Sequence, residues 1–358
     1  MGSRRLYAEK TNCDRSRFPL PQSLILTQKP QKADAPSRQN LVLLAIYAAC
    51  ALMFALLHYR DNLYHLNKSS DMDAEWLALT NFSGERPYQY RVLIFALARL
   101  LHAGLHVSVP LAFQLLEAGF LFLLFLAFRR YLAIFIPEQI SRFASLALLY
   151  PLVWNYVLLG HIYWPYDIPG IFFFVAGLVC LVEGRWASYY PLFVLATLNR
   201  ETSVFLILAS LLIAWGRQAP RQIAGHLLVQ AVLWLAIKAL LNRLFAHNSG
   251  SFTDNMMHNN WLLLTRFLHG NFSFLRFLLL VCGAVWLLIP LAWRRQPVIF
   301  RRLLWIIPPF IAGMGVVGVL DEVRIYNELI PVLLAPAVFS VYAVFAPDQV
   351  SPNEYSRH

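Results

Sequence analysis

The sequence predicts an all-α, polytopic integral membrane protein with about ten transmembrane helices. Of its 358 residues 59% are apolar and only 14% are charged, against roughly 25% charged in a typical soluble domain. Apolar runs near the length of about 20 residues that crosses a bilayer recur along the chain. Lys and Arg lie scattered between these runs, so the net charge of +11 indicates a positive-inside bias and argues against nucleic acid as a partner.

Polar segments flank the apolar region. Residues 1–40 are rich in proline and basic residues, and we interpret them as a flexible basic cytoplasmic tail, since a signal peptide would place its apolar stretch nearer the start. Residues 41–346 form a single transmembrane domain, and 347–358 a second cytoplasmic tail. The four cysteines show neither a CxxC pattern nor metal-ligand spacing, so no disulfide or metal site is predicted.

Ten segments are candidate spans: 41–58, 110–128, 143–160, 168–184, 187–199, 202–216, 223–241, 273–293, 303–320 and 329–346. The two short ones, 187–199 and 202–216, are separated by little more than Arg200-Glu201. This pattern is typical of a helical hairpin or a broken pair of spans.

Segment 89–107 decides the topology. Arg91, Arg99, His102 and His106 interrupt its apolar run, and we interpret it as an amphipathic juxtamembrane helix. Both termini are then cytoplasmic, and the external loops are 59–109, 161–167, 200–201, 242–272 and 321–328. Downstream, eleven arginines are cytoplasmic: Arg129, Arg130, Arg142, Arg185, Arg217, Arg221, Arg294, Arg295, Arg301, Arg302 and Arg357. Five are external: Arg200, Arg243, Arg266, Arg276 and Arg324. The positive-inside rule requires this direction.

Five polar clusters fall on the external side: 71–75, 87–91, 161–167, 199–202 and 321–328. Wet loops are ordinarily polar, but Arg200-Glu201 and Glu322-Val-Arg324 adjoin spans with hardly any loop around them. Ionisable groups so close to hydrocarbon usually face a protein interior or a water-filled cavity. Structural ion pairs that pin helix ends are the other interpretation of these two sites.

Asp71-Met-Asp73 is the candidate catalytic motif. Asp73 is our first choice for a general base and Asp71 our second. The two carboxylates can also hold a divalent cation through hard oxygen ligands; no other cofactor and no built metal site is implied.

Four sequence elements resemble those of membrane-embedded glycosyltransferases of the C superfamily, in bacterial proteins of this type. They are Pro87-Tyr-Gln-Tyr-Arg91-Val-Leu93, Tyr166-Asp167-Ile-Pro169, Leu198-Asn199-Arg200-Glu201-Thr202 and Glu322-Val-Arg324. The layout over 41–346 is similar too: a first span, a long external loop with carboxylates, and further spans that return acidic and Arg residues to the same face. A large external soluble domain and a Trp-Trp-Asp signature, present in the best-known members, are missing.

The resemblance implies an enzyme of the bacterial inner membrane that takes a sugar from a polyprenyl-phosphate donor and transfers it outside the cytoplasm. The acceptor, a glycan, lipid or protein, stays open. Substrate-binding residues would be Arg91, Asp167, Arg200, Glu201, Glu322, Arg324 and Tyr326, with the arginines as bidentate phosphate ligands. Two other functions use the same residues: a transporter or flippase for a lipid-linked or anionic solute, and a non-enzymatic assembly subunit of the membrane.

Overall fold

The computed structural model describes residues 38–66, 69–159, 163–253, 255–270 and 279–349, with the backbone alone at 62–66, 69–73 and 349. In these ranges the regular structure is helical and no strand occurs, apart from an isolated β-bridge between Arg86 and Gly250. The chain divides into Met1–Val42 and Leu43–His358. All contacts below belong to the second unit.

The described α-helices are α1 (Arg38–Leu66), α2 (Ser69–Thr80), α3 (Val92–Leu105), α4 (Val109–Ala133), α5 (Glu138–Ala144), α6 (Leu149–Leu152), α7 (Asp167–Val182), α8 (Trp186–Asn199), α9 (Val204–Ala214), α10 (Pro220–Leu244), α11 (Met257–Leu268), α12 (Val298–Leu303), α13 (Ile307–Val317) and α14 (Leu329–Phe345). Tighter 3-10 turns include Tyr88–Tyr90, Glu201–Ser203, Val281–Arg295, Leu304–Ile306 and Val323–Tyr326. Val153–Leu158 is a π-helix.

Four described helices are long and apolar enough to cross a membrane: Arg38–Asp61, Val109–Ala133, Pro220–Leu244 and Val298–Val317. Shorter apolar helices lie at Val92–Leu105, Asp167–Val182, Glu201–Ala214 and Leu329–Phe345. The prediction of a helical protein with helices suited to cross a membrane is therefore confirmed for these four helices. Helix α3 has 14 residues and rises only about 21 Å, less than the roughly 30 Å of the hydrocarbon core.

The predicted spans at 143–160 and 273–293 are not regular helices. The first passes from α5 through 3-10, α and π turns, and in the second the described part turns left-handed at Cys282, Gly283 and Ala284. The two irregular stretches satisfy each other: Asn155 Oδ1 accepts from Cys282 N at 3.2 Å, and Tyr150 OH donates to Gly283 O at 2.9 Å. Irregular backbone at membrane depth is tolerated where protein buries it in this way.

Helix α7 lies at the centre of the bundle, packed against α4, α8 and α9. Nearly all of its side chains are buried. Helix α10 differs, since only Gln230 and Leu241 are buried among its residues. This contrast is expected when one helix fills the core and the other faces lipid. Asp167, in the first turn of α7, therefore belongs to a helix that is buried along nearly its whole length.

Segments predicted on the same side of the membrane contact one another. On the predicted external side, Arg86 Nη2 donates to Gly250 O at 2.8 Å. On the predicted cytoplasmic side, Arg130 Nε donates to Glu183 Oε1 at 2.6 Å, and Arg302 donates to Trp215 O.

Candidate functional site

Asp167 is the centre of a buried cluster of charged side chains. It opens α7, where the helix dipole favours a carboxylate, and its side chain is fully buried. Its Oδ1 accepts a hydrogen bond from Arg200 Nη1 at 3.1 Å, and its Oδ2 lies 3.6 Å from Arg324 Nη1. One carboxylate therefore bridges two guanidinium groups that are far apart in sequence.

Arg200 lies on the inner side of this cluster. Besides Asp167, its Nη1 lies 3.6 Å from Glu328 Oε1. Thr202 Oγ1 donates to the same Glu328 oxygen. A cavity of about 10 Å³ beside Gly170 is lined by Arg200, Thr202 and Glu328, which is room for at most one water molecule. Arg200 is only 5% exposed, so this inner part is closed to a large ligand.

Arg91 lies on the side of the cluster that is more accessible to solvent. It leads into α3, and its Nη2 donates to Glu201 Oε1 at 3.1 Å while its Nη1 donates to the Tyr166 hydroxyl. The Glu201 side chain is 28% exposed. Burial alone would lower the pKa of Arg91, but Tyr166 and Glu201 outweigh it and raise that pKa. Burial alone would raise the pKa of Glu201, but the positive charges of Arg91 and Lys238 outweigh the effect of burial and lower that pKa to about 2. This pair is ionised at any physiological pH.

Arg324 completes the accessible side. Its Nε donates to Glu322 Oε1 at 2.6 Å, and the Glu322 side chain is 21% exposed. The 3-10 turn Val323–Tyr326 carries Arg324 back towards α7. Two separate nitrogens of one guanidinium thus reach two carboxylates, those of Glu322 and Asp167.

Three aromatic rings lie between Arg91 and Arg324. Tyr88 and Trp164 stack with centroids 5.0 Å apart, and Trp164 and Tyr166 follow at 5.4 Å. The Arg91 guanidinium lies 4.2 Å from the Tyr166 centroid, and that of Arg324 lies 5.6 Å from the Trp164 centroid. Such cation–π contacts orient a guanidinium without using its N–H donors. Both arginines lie beside carboxylates that are partly open to solvent, while their own side chains are 11% and 10% exposed.

The structure brings together six of the seven predicted binding residues: Arg91, Asp167, Arg200, Glu201, Glu322 and Arg324. They come from four of the five predicted polar clusters. Tyr326 differs, because its hydroxyl donates to Leu320 O at 2.8 Å and so braces the backbone of its own loop.

The candidate catalytic residues Asp71 and Asp73 lie on α2, although we expected them in a loop; their side chains are outside the described residues. Two positions of a helix that are two residues apart lie about 200° apart around its axis. Position 73 is three residues before the buried Trp76 and four before Leu77, which is 50% exposed, so it lies at the edge of the face that buries Trp76, Leu79 and Thr80. Position 71 lies off that face, so the helix distinguishes the two aspartates.

Sequence reasoning missed several residues of the cluster. Glu328 was grouped with the fifth polar segment but given no role, and Thr202, Tyr166 and Lys238 were not singled out for one. Lys238 lies on α10 within an apolar run, and its Nζ is 4.6 Å from the centroid of the Tyr90 ring. A lone lysine inside an apolar segment was the available signal for it.

Apart from Asp71 and Asp73, whose side chains are outside the described residues, we searched the structure for a site that could bind a metal ion. Among the described residues, no group of three or more His, Cys, Asp or Glu side chains is arranged to hold a metal ion.

Comparison with known proteins assigns no family. No protein-family model, no curated protein and no solved structure matches this chain. Function must therefore be argued from the chemistry of the cluster itself.

Proposed function

We propose that this chain is a membrane glycosyltransferase that moves a sugar from a polyprenyl-phosphate donor to an acceptor on the non-cytoplasmic side of a bacterial inner membrane. The observation that carries the proposal is that Arg91 and Arg324 flank one group of stacked aromatic rings, each beside a partly open carboxylate, at one end of an apolar helical bundle. The isoprenoid would stay in lipid while its phosphate meets the two arginines.

The three arginines of the cluster have different proposed roles. Arg200 contacts two buried carboxylates, Asp167 and Glu328, which fits a structural pin. Arg91 and Arg324 are the phosphate ligands, because their acidic partners Glu201 and Glu322 are the more exposed ones. A phosphate competes with these carboxylates for the guanidinium forks, which bind two oxygens at once. Displaced Glu201 and Glu322 then face the acceptor.

Asp73 is the proposed general base. It takes the proton of the acceptor hydroxyl as the new glycosidic bond forms and the polyprenyl phosphate leaves with its bonding electron pair. Support comes from position 73 lying one turn before Trp76 on α2, because the Trp76 ring lies 5.4 Å from that of Tyr163. Tyr163 directly precedes the Trp164 to Asp167 segment of the cluster.

The proposed topology has ten spans and cytoplasmic termini. Contacts between segments of the same predicted side support it, as do the four long apolar helices.

The decisive assay supplies purified protein with a polyprenyl-phosphate sugar and candidate acceptors and measures released polyprenyl phosphate. Release that depends on an acceptor supports the transferase. Absence of release with every donor, together with substrate-dependent flux in liposomes, would overturn it.

One observation favours the transporter as the second candidate. His58 Nδ1 and Glu117 Oε1 lie 2.7 Å apart, both fully buried between α1 and α4. An intramembrane ionisable pair is typical of proton relays in pumps and transporters. Flux in liposomes that a pH gradient drives, and that His58→Gln abolishes, would identify this alternative.

A further inference from the structure

Helix α11 has one strongly apolar, exposed face. Met257, Trp261, Leu264 and Leu268 follow at intervals of four, three and four residues, which places them in one narrow stripe. Their side chains are between 40 and 70% exposed. Arg266 is exposed on the opposite side, about 200° from Leu264 around the axis. Such an amphipathic pattern is typical of helices that lie in a bilayer interface.

Helix α11 is also fixed at the end of a membrane-crossing helix. The buried Asn260 donates from Nδ2 to Gly315 O at 2.8 Å and to Gly318 O at 2.7 Å, and its Oδ1 accepts from Leu320 N at 2.9 Å. Met256 N donates to Val316 O at 2.9 Å. These acceptors and donors lie at the C-terminal end of the candidate span Val298–Val317 and just beyond it.

This attachment fixes the depth of α11. The end of a span lies at the boundary between hydrocarbon and head groups, and α11 is bound to that end through four hydrogen bonds. What surrounds its apolar stripe at that depth is the acyl and head-group region of the bilayer.

We infer that α11 docks into the outer bilayer interface through Met257, Trp261, Leu264 and Leu268, and that Asn260 ties segment 315–320 to it. Leu320 is held on both sides, by Asn260 at its N–H and by the Tyr326 hydroxyl at its carbonyl. Glu322 and Arg324 follow within four residues. The membrane surface thereby positions the loop that carries Arg324, whatever reaction that loop serves.

The first test is photo-crosslinking in vesicles of phosphatidylcholine with phosphatidylglycerol. A photoreactive amino acid replaces Leu264 or, as the matched control, Arg266. We expect phospholipid adducts, identified by mass spectrometry, at position 264 and at least about tenfold fewer at position 266. Equal adducts at both positions, water adducts at 264, or a crosslink from 264 to a second protein copy would each overturn the docking.

The second test measures hydrogen–deuterium exchange of segment 315–320. Asn260→Ala removes three hydrogen bonds and should speed exchange there by about tenfold or more. Its neighbour Asn259, which is exposed and contacts only Met256 Sδ at 3.5 Å among the described contacts, provides the control variant Asn259→Ala, with no change expected. Unchanged exchange in Asn260→Ala would contradict the inference that Asn260 holds segment 315–320 against α11. Neither test requires glycosyl transfer, so failure of the proposed enzyme activity leaves both results interpretable.

Discussion

Single residues in this cluster differ in what surrounds them, and Asp167 has the most demanding environment. Its carboxylate is fully buried and faces two guanidinium groups, those of Arg200 and Arg324. Removing one member of a buried group of charges is costly, since the charges that remain are less fully neutralised in a medium of low dielectric constant. Asp167 therefore holds the two arginines in place as well as neutralising them.

Replacing Asp167 by Asn should destabilise the folded protein by about 3–5 kcal/mol. The amide keeps the shape of the side chain but leaves Arg200 and Arg324 with one carboxylate fewer. Thermal or chemical unfolding in detergent measures the change. Glu138→Gln is the control, because Glu138 is 45% exposed and pairs with Arg129 and Arg142 near the surface; its effect should stay below about 1 kcal/mol. Equal losses in the two variants would contradict the central position of Asp167.

Sequence patterns identified six charged members of the cluster because charge beside an apolar span is rare and visible, but they gave no role to Glu328 or Lys238. The neutral members of the cluster give no such signal. Thr202 and Tyr166 are common residue types at helix ends, and only the fold brings Thr202 against Glu328 and Tyr166 against Arg91. The same patterns gave Tyr326 a binding role, whereas its hydroxyl contacts the backbone of Leu320.

Among the elements, α2 has the most direct consequence for chemistry. Asp71 and Asp73, which the sequence analysis places in an external loop, belong to a helix of 12 residues, Ser69–Thr80. A helix separates positions 71 and 73 to different faces, and only position 73 shares the face of Trp76. This separation does not fit a pair of aspartates acting on one metal or one proton, and it is the reason for proposing a single base at position 73.

Asp73→Asn should abolish glycosyl transfer while the protein remains folded in the membrane, and Asp71→Asn should retain activity. Asn cannot accept a proton at neutral pH, and the two variants differ only in the helix face they alter. Transfer assays on equal amounts of folded protein compare them. Full activity in Asp73→Asn would remove this residue from the catalytic role, and loss in both variants would restore the paired carboxylates.

Element boundaries were harder to predict where the backbone is irregular. Composition marked 143–160 and 273–293 as spans, but hydropathy carries no information on the π-turn at Val153–Leu158 or the left-handed residues around Gly283. Those conformations depend on hydrogen bonds between the two segments, which a pattern within either one cannot show.

For the whole molecule, the proposed topology rests on the distribution of charge and on which segments contact one another. The segments proposed as external meet around Asp167 and at Arg86 with Gly250, and those proposed as cytoplasmic meet at Arg130 with Glu183. Two sets of contacts at predicted opposite sides agree with the positive-inside distribution of arginines.

Cysteine labelling in intact cells tests this topology at two exposed positions. A membrane-impermeant maleimide should label Ser251→Cys from outside and Arg294→Cys only after permeabilisation; both positions are exposed in the described structure. The unsubstituted protein, with its native cysteines, gives the background. Labelling of Arg294→Cys from outside would reverse the proposed orientation.

The central claim is that Arg324 binds the phosphate of a lipid-linked sugar, and Arg324→Lys tests it most directly. Lysine keeps the charge but loses the fork that reaches Glu322 and Asp167 from separate nitrogens. Released polyprenyl phosphate per folded molecule should fall by about 10- to 150-fold, which corresponds to roughly 1.5–3 kcal/mol for a hydrogen bond to a charged group. Arg266→Lys, at an exposed position of α11 opposite its apolar stripe, should leave turnover unchanged. Normal turnover in Arg324→Lys, accompanied by lower yield and thermal stability, would show a structural ion pair and contradict phosphate binding.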